Sequence, residues 1–165
     1  MQIVEMEPVR PMSEIRTLFL EYANEIRADL CFQGFERELA ELPGRYAPPT
    51  GRLLLAREGD RPAGCVALRQ FGDGICEMKR LFVRPAFRRQ GLGRALAGRI
   101  IAIAREIGYT SMRLDSLASM KGAICLYESL GFRRIPPYYH NPNGTAVFLE
   151  LPLGQKISRQ APASG

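Results

Sequence analysis

The chain has 165 residues, 46% hydrophobic and 24% charged, with a formal net charge of +6 and a pI near 9.5, which is enough for one sizeable core and too short for two comfortable domains. The first ten residues hold no apolar signal core, and the longest aliphatic run, 100–104, falls far short of the ~20 residues that span a bilayer. Cys31, Cys65, Cys76 and Cys125 show neither a CxxC pair nor zinc spacing, so the expectation is a soluble cytoplasmic domain with buried reduced thiols, no membrane and no metal.

In chain order, residues 2–7 alternate apolar and polar as a strand does, and Pro8 and Pro11 punctuate the link to the next element. Ser13 stands where an N-cap opens a helix carrying Ile15, Leu18, Phe19, Tyr22 and Ile26 at helical spacing. A shorter helix from Phe35 to Leu42 stops before Pro43-Gly44. Residues 52–58 and 62–71 flank the turn Glu58-Gly59-Asp60-Arg61 as a hairpin, and a strand at 75–83 ends at Arg84-Pro85. Leu92, Leu96, Ile100, Ile103 and Ile107 trace one helix face, which Gly108 closes. A strand at 111–117 comes next, so the crossover makes it a parallel neighbour or near neighbour of the strand at 75–83. A helix at 119–130 presents Ala123, Leu126, Tyr127 and Leu130 on one side and ends at a Gly131-Phe132 cap. Strands at 132–135 and 145–151 complete a domain over 1–153, and 154–165 reads as a frayed tail.

The basic excess is local. No acidic residue stands between Glu77 and Glu106, a window that holds Lys79, Arg80, Arg84, Arg88, Arg89, Arg94, Arg99 and Arg105. Aromatic residues are not interleaved with these charges, which disfavours nucleic acid as the partner. At the centre stands Arg88-Arg89-Gln90-Gly91-Leu92-Gly93-Arg94, directly before the helix of residues 92–107. It lacks the GxxxxGK[ST] of a P-loop, and the GxGxxG fingerprint fails at Leu96. The segment offers a helix N-terminus with exposed N–H groups, two glycines without a Cβ to hinder approach, and arginines beside them, a combination suited to pyrophosphate.

The pattern Arg88-x-x-Gly91-x-Gly93, set between a strand and a long helix and followed by Leu126-Tyr127-Glu128-Ser129-Leu130-Gly131-Phe132, resembles the coenzyme A signature and LYEKLGF segment of the GCN5-related N-acetyltransferase (GNAT) superfamily. The resemblance covers roughly residues 52–151. It implies a single-domain α/β fold with a mixed, mostly antiparallel sheet, a central splayed parallel pair and flanking helices. The implied activity is transfer of acetyl from acetyl-CoA directly to a primary amine, the alternative being a non-catalytic acyl-CoA-binding regulatory module. Coenzyme-binding positions implied are Leu81, Phe82 and Val83 on the strand, with Arg88, Arg89, Gln90, Gly91, Leu92, Gly93 and Arg94 in the loop. Met120 stands where many members carry asparagine, which removes one side-chain contact to the pantetheine arm.

The same resemblance implies two catalytic candidates. Tyr127 corresponds to the tyrosine near the coenzyme sulfur, the other reading being a core tyrosine. Glu77 matches the glutamate base of histone-modifying relatives, the other reading being an ion pair with Lys79 or a neighbouring arginine. Lys79 and Arg80 read equally as solvated strand residues, and His140, the only histidine, as an exposed loop residue. In this superfamily the acceptor cleft lies between the N-terminal helices and the late loops, where Tyr46, Tyr138 and Tyr139 could line it. The acceptor is left open among small amines, amino acids, antibiotics, peptide N-termini and protein lysines, and so is a homodimer.

Overall fold

The two-residue alternation along residues 52–58 sends Leu54 and Ala56 to one face of a sheet and Leu53 and Leu55 to the other, and helices cover both faces. The computed structural model describes residues 1–27, 30, 34–142 and 144–154; Cys31 and residues 155–165 lie outside them. The strands are β1 (Gln2–Glu5), β2 (Arg52–Glu58), β3 (Arg61–Gly72), β4 (Ile75–Val83), β5 (Ser111–Leu117), β6 (Arg133–Ile135) and β7 (Ala146–Pro152). The helices are α1 (Ser13–Ile26), α2 (Phe35–Glu41), α3 (Leu92–Ile107) and α4 (Lys121–Ser129). Among the described residues the seven strands form one sheet in the order β1-β2-β3-β4-β5-β7-β6.

Every pairing is antiparallel except β4 with β5. The two hairpins explain β2-β3-β4, and α3 explains the exception, because a strand that returns through a helix on one face comes back in the same direction. One core lies under α3 and α4, where Leu96, Ile100 and Ile103 meet Val66, Leu68, Met78, Met112 and Leu149. The other lies under α1, where Ile15, Leu18 and Phe19 meet Leu53, Leu55, Cys65 and Phe82.

Two local expectations need correction. Ser13 is the first helical residue of α1, not its cap: Met12 holds the cap position, and its carbonyl accepts the Arg16 N–H at 2.8 Å. The α4 helix starts at Lys121, two residues later than the periodicity suggests, because Met120 N–H is still turned back onto the Leu117 carbonyl at 2.9 Å.

Candidate active site

The site begins where the sheet opens. β4 and β5 pair only at Ile75/Ser111, Cys76/Met112 and Glu77/Arg113, and past these rows the strands part. The cause lies in β4. Its register against β3 shifts between the Lys79 and Phe82 rows, and Arg80 takes a left-handed φ of 58°, so an extra residue bends the strand away from its parallel neighbour.

A cleft of about 880 Å³ runs from this opening to the start of α3. Of the ten positions expected to hold coenzyme, Leu81, Phe82, Val83, Arg88, Arg89, Gly91, Leu92, Gly93 and Arg94 line it. Gln90 does not; its Nε2 donates to the Ala86 carbonyl at 3.5 Å. Gly91 sits at φ 78°, and a Cβ built there would meet nothing within 4 Å, while one on Gly93 would meet only Leu126 and Val83 side chains at 3.6 and 3.9 Å. The backbone in front of α3 is therefore bare on the cleft side, with the first N–H groups of a 16-residue helix behind it. The start of α4 faces the same cleft through Met120, Lys121, Gly122 and Ala123. With Met120 at its cap, α4 has no side-chain cap bond.

The arginines of the loop are not equivalent. Arg88 Nε donates to the Val83 carbonyl at 2.8 Å and its Nη2 to both Glu25 oxygens at 2.6 Å, tying the loop to α1. Arg94 donates to Ser129 Oγ at 2.6 Å, and Arg89 is exposed.

Tyr127 stands where the long cleft meets a smaller cavity of about 40 Å³, and it lines both. The segment around it explains its placement. Gly131 at φ 100° lets its N–H reach the Glu128 carbonyl and the Phe132 N–H reach the Tyr127 carbonyl, both at 3.1 Å, a left-handed helix end of the Schellman type. The Phe132 ring then packs edge-on against Tyr127, with ring centres 5.8 Å apart. Burial pushes the Tyr127 phenol above its ordinary range, so the ring carries its proton at neutral pH.

The smaller cavity is polar at one end, where Lys79, Arg80, Asp115 and Asn141 contribute to its walls. Lys79 and Arg80 are buried, not solvated: Arg80 lies against α1 and α2, and Lys79 faces Asp115 on β5. Arg80 grips Glu38 with Nε at 3.0 Å and Nη2 at 3.3 Å, and lies over the Phe35 and Tyr22 rings. Lys79 Nζ meets Asp115 Oδ1 at 3.5 Å; desolvation holds its ammonium below the usual lysine range, with Asp115 opposing.

One row further from the opening, directly opposed residues alternate in charge across the sheet. Arg69 on β3 faces Glu77 on β4, Glu77 faces Arg113 on β5, and Arg113 faces Glu150 on β7. Arg69 reaches Glu77 Oε1 at 2.8 Å, Arg113 reaches Glu150 Oε2 at 2.6 Å, and the Tyr138 hydroxyl donates to Glu77 Oε2 at 2.8 Å. Glu77 is 1% exposed and lines neither cavity. Its ion-pair partner is the arginine directly opposite it on β3, Arg69.

Of the three tyrosines expected at the acceptor side, Tyr46 is a core residue: it is 2% exposed, packs edge-on against Phe19, and donates to Glu38 Oε1 at 2.6 Å. Tyr138 and Tyr139 are half-buried and stack edge-on with one another and with Phe148, beside Glu77 and Asp115. His140 is exposed. Sequence reasoning missed Tyr22, Glu25 and Asp115. Tyr22 and Glu25 were hidden in an amphipathic helix; Asp115 was legible, since the alternation Met112, Leu114 against Arg113, Asp115 puts it on the polar face. Among the described residues no group of three His, Cys, Asp or Glu could hold a metal, and no helix is long and apolar enough to cross a membrane.

The sequence matches the family model described as the acetyltransferase (GNAT) family over residues 13–132. It is 42% identical over 146 residues to an uncharacterised N-acetyltransferase of Schizosaccharomyces pombe, covering 87% of this chain and 90% of the relative. It is 34% identical over 109 residues to the IAA acetyltransferase of Azospirillum brasilense, covering 65% and 71%. The fold superimposes with a TM-score of 0.70, at 21% identity and over 98% of both chains, on the Salmonella typhimurium yncA structure solved with its cofactor acetyl-CoA.

Proposed function

The chain belongs to the GNAT acetyltransferase family and is an acetyl-CoA-dependent N-acetyltransferase, and from that premise we propose that its reacting centre lies where the two cavities meet, at Tyr127. The observation that carries this reading is that only two tyrosines among the described residues, Tyr22 and Tyr127, line both a long cleft ending on bare helix N-termini and a small polar cavity, and that Tyr22 is taken up by the Arg80 guanidinium, 5.9 Å over its ring, while Tyr127 keeps its proton at neutral pH. The long cleft suits the cosubstrate, with the pyrophosphate at the N–H groups of residues 91–93 and the pantetheine arm along Leu81 to Val83. Acetyl-CoA supplies an acetyl thioester, whose carbonyl carbon gains a bond to the amine nitrogen as its bond to sulfur breaks.

The protein's own groups then handle the protons. The Tyr127 hydroxyl donates to the departing sulfur. A phenol above its ordinary range is a weak acid against a thiol of pKa ~8.5, so it assists departure without being indispensable. The amine side needs a carboxylate at the cavity: Asp115, held by Lys79 and the Tyr139 hydroxyl, lines the small cavity, and Glu77, held by Arg69 and Tyr138, lines neither cavity. We therefore assign proton removal to Asp115, with water beyond it, and give Glu77 the task of fixing Tyr138 and Arg69. Two free cysteines in the core, Cys65 and Cys76, agree with a reducing, cytoplasmic setting.

The test is release of free thiol from acetyl-CoA across a panel of amines. Tyr127→Phe keeps the ring and its contact with Phe132. It should lower kcat about ten- to a thousandfold, with affinity for acetyl-CoA and melting temperature unchanged. Normal turnover by this variant would remove Tyr127 from the reaction. Tight coenzyme binding without thiol release for any amine would favour a non-catalytic acyl-CoA-binding module.

A further inference from the structure

The polar end of the small cavity is balanced in charge. On this face of the sheet the cations Arg69, Lys79, Arg80 and Arg113 are matched one for one by Glu77, Asp115, Glu38 and Glu150, at 2.8, 3.5, 3.0 and 2.6 Å. Three of these pairs have short contacts. The fourth, Lys79 with Asp115 at 3.5 Å, is the one whose two members both line the cavity beside Tyr127. Arg80 also lines it, but Glu38 occupies its guanidinium from two sides.

A balanced, poorly hydrated site discriminates by net charge. A simple alkylammonium entering here would bring an uncompensated positive charge next to Lys79, and leaving a buried charge without a partner is costly. A molecule bearing an ammonium and a carboxylate a few ångströms apart has no such cost. Its ammonium can face Asp115 and its carboxylate Lys79, so that charges alternate around the four groups.

We propose that the acceptor is a free α-amino acid, its amine held by Asp115 and its carboxylate by Lys79. The inference rests on the assignment of the reacting centre to Tyr127 and Asp115, and it adds the substrate class.

The experiment separates the two levels. Acetyl-CoA binding to the purified protein is first measured by calorimetry. Thiol release is then compared for free amino acids, their amides and the amines that remain when the carboxylate is removed. The inference expects the amino acid to exceed its decarboxylated amine and its amide by ten- to a hundredfold in kcat/KM, the range of one charge-assisted contact. Lys79→Met should bring that ratio to within a fewfold by raising KM for the amino acid, and Lys79→Arg should keep part of it.

If acetyl-CoA binds and decarboxylated amines or lysine-containing peptides serve as well as amino acids, the inference is overturned while the family reading stands. A preference that persists unchanged in Lys79→Met also overturns it. If acetyl-CoA does not bind at all, both fall. The native protein's own preference decides the matter even where Lys79→Met fails to fold.

Discussion

Glu77 shows how little a residue type says without its neighbours. A buried glutamate one strand before a coenzyme loop has the right place for a base, yet here it sits between Arg69 and Tyr138 with both oxygens engaged. Removing its charge should act on stability first, because Arg69 would keep a mostly buried cation without its partner. Glu77→Gln is expected to cost about 2–3 kcal/mol in a urea titration, below the full cost of breaking a buried pair because the amide still accepts one hydrogen bond. Its turnover should fall evenly across pH. Asp115→Asn should behave differently: if Asp115 takes the amine's proton, the variant loses rate mainly at neutral pH and recovers part of it at high pH, where free amine is abundant. A Glu77→Gln enzyme of native stability that recovers at high pH would return the base to Glu77.

At the scale of elements, the chemistry depends on how two helices begin and one ends. The α3 start needs bare backbone, and its two glycines serve that need differently. Gly91 requires its left-handed φ of 78°, so any side chain strains it; Gly93 has ordinary space around it in the protein alone. Gly93→Ala should therefore keep the native melting temperature and weaken acetyl-CoA binding, measured by calorimetry. Unchanged affinity would move the pyrophosphate away from this loop. The α4 end sets Tyr127. Gly131→Ala must accept φ 100° and bring a Cβ to 3.3 Å from Leu151, costing about 1–2 kcal/mol, and it should also lower kcat by loosening the contact between Phe132 and Tyr127. A stable variant with native kcat would show that the helix end does not govern the tyrosine.

Over the whole molecule, alkaline pH is the weak side. Burial raises the phenols of Tyr46 and Tyr127 and the thiol of Cys65, and pushes the Cys76 thiol up to about 12. A group that holds its proton more tightly when folded stabilises the protein fully below its unfolded pKa and loses that stabilisation as pH rises toward the folded value. For the thiols the loss starts near pH 8.5 and for the phenols near pH 10, each group adding up to about 1.4 kcal/mol per pH unit. Four such groups together would consume a typical 5–15 kcal/mol of stability within two or three pH units. Urea midpoints should hold steady from pH 7 to 8 and drop steeply between pH 10 and 11. A flat profile to pH 11 would mean that these groups are hydrated in the native state.

The order of elements, the bounds of α3 and the glycine loop before it were legible in the chain alone, because they depend on periodicity and on backbone freedom, which are properties of neighbours in sequence. The LYESLGF segment was legible for the same reason: a helix end carries its own cap residues. The acceptor side was not. Its pairs join residues 8 to 42 positions apart, Arg69 with Glu77, Lys79 with Asp115 and Arg80 with Glu38, and whether a charge is solvated or buried depends on the elements that pack over it. The bend at Arg80 that opens the sheet leaves no mark in composition, since an arginine in a left-handed conformation looks like any other until β3 shows the shifted register. Local rules thus determined which elements form and where anions can approach, and tertiary packing decided which charges are left to meet the acceptor.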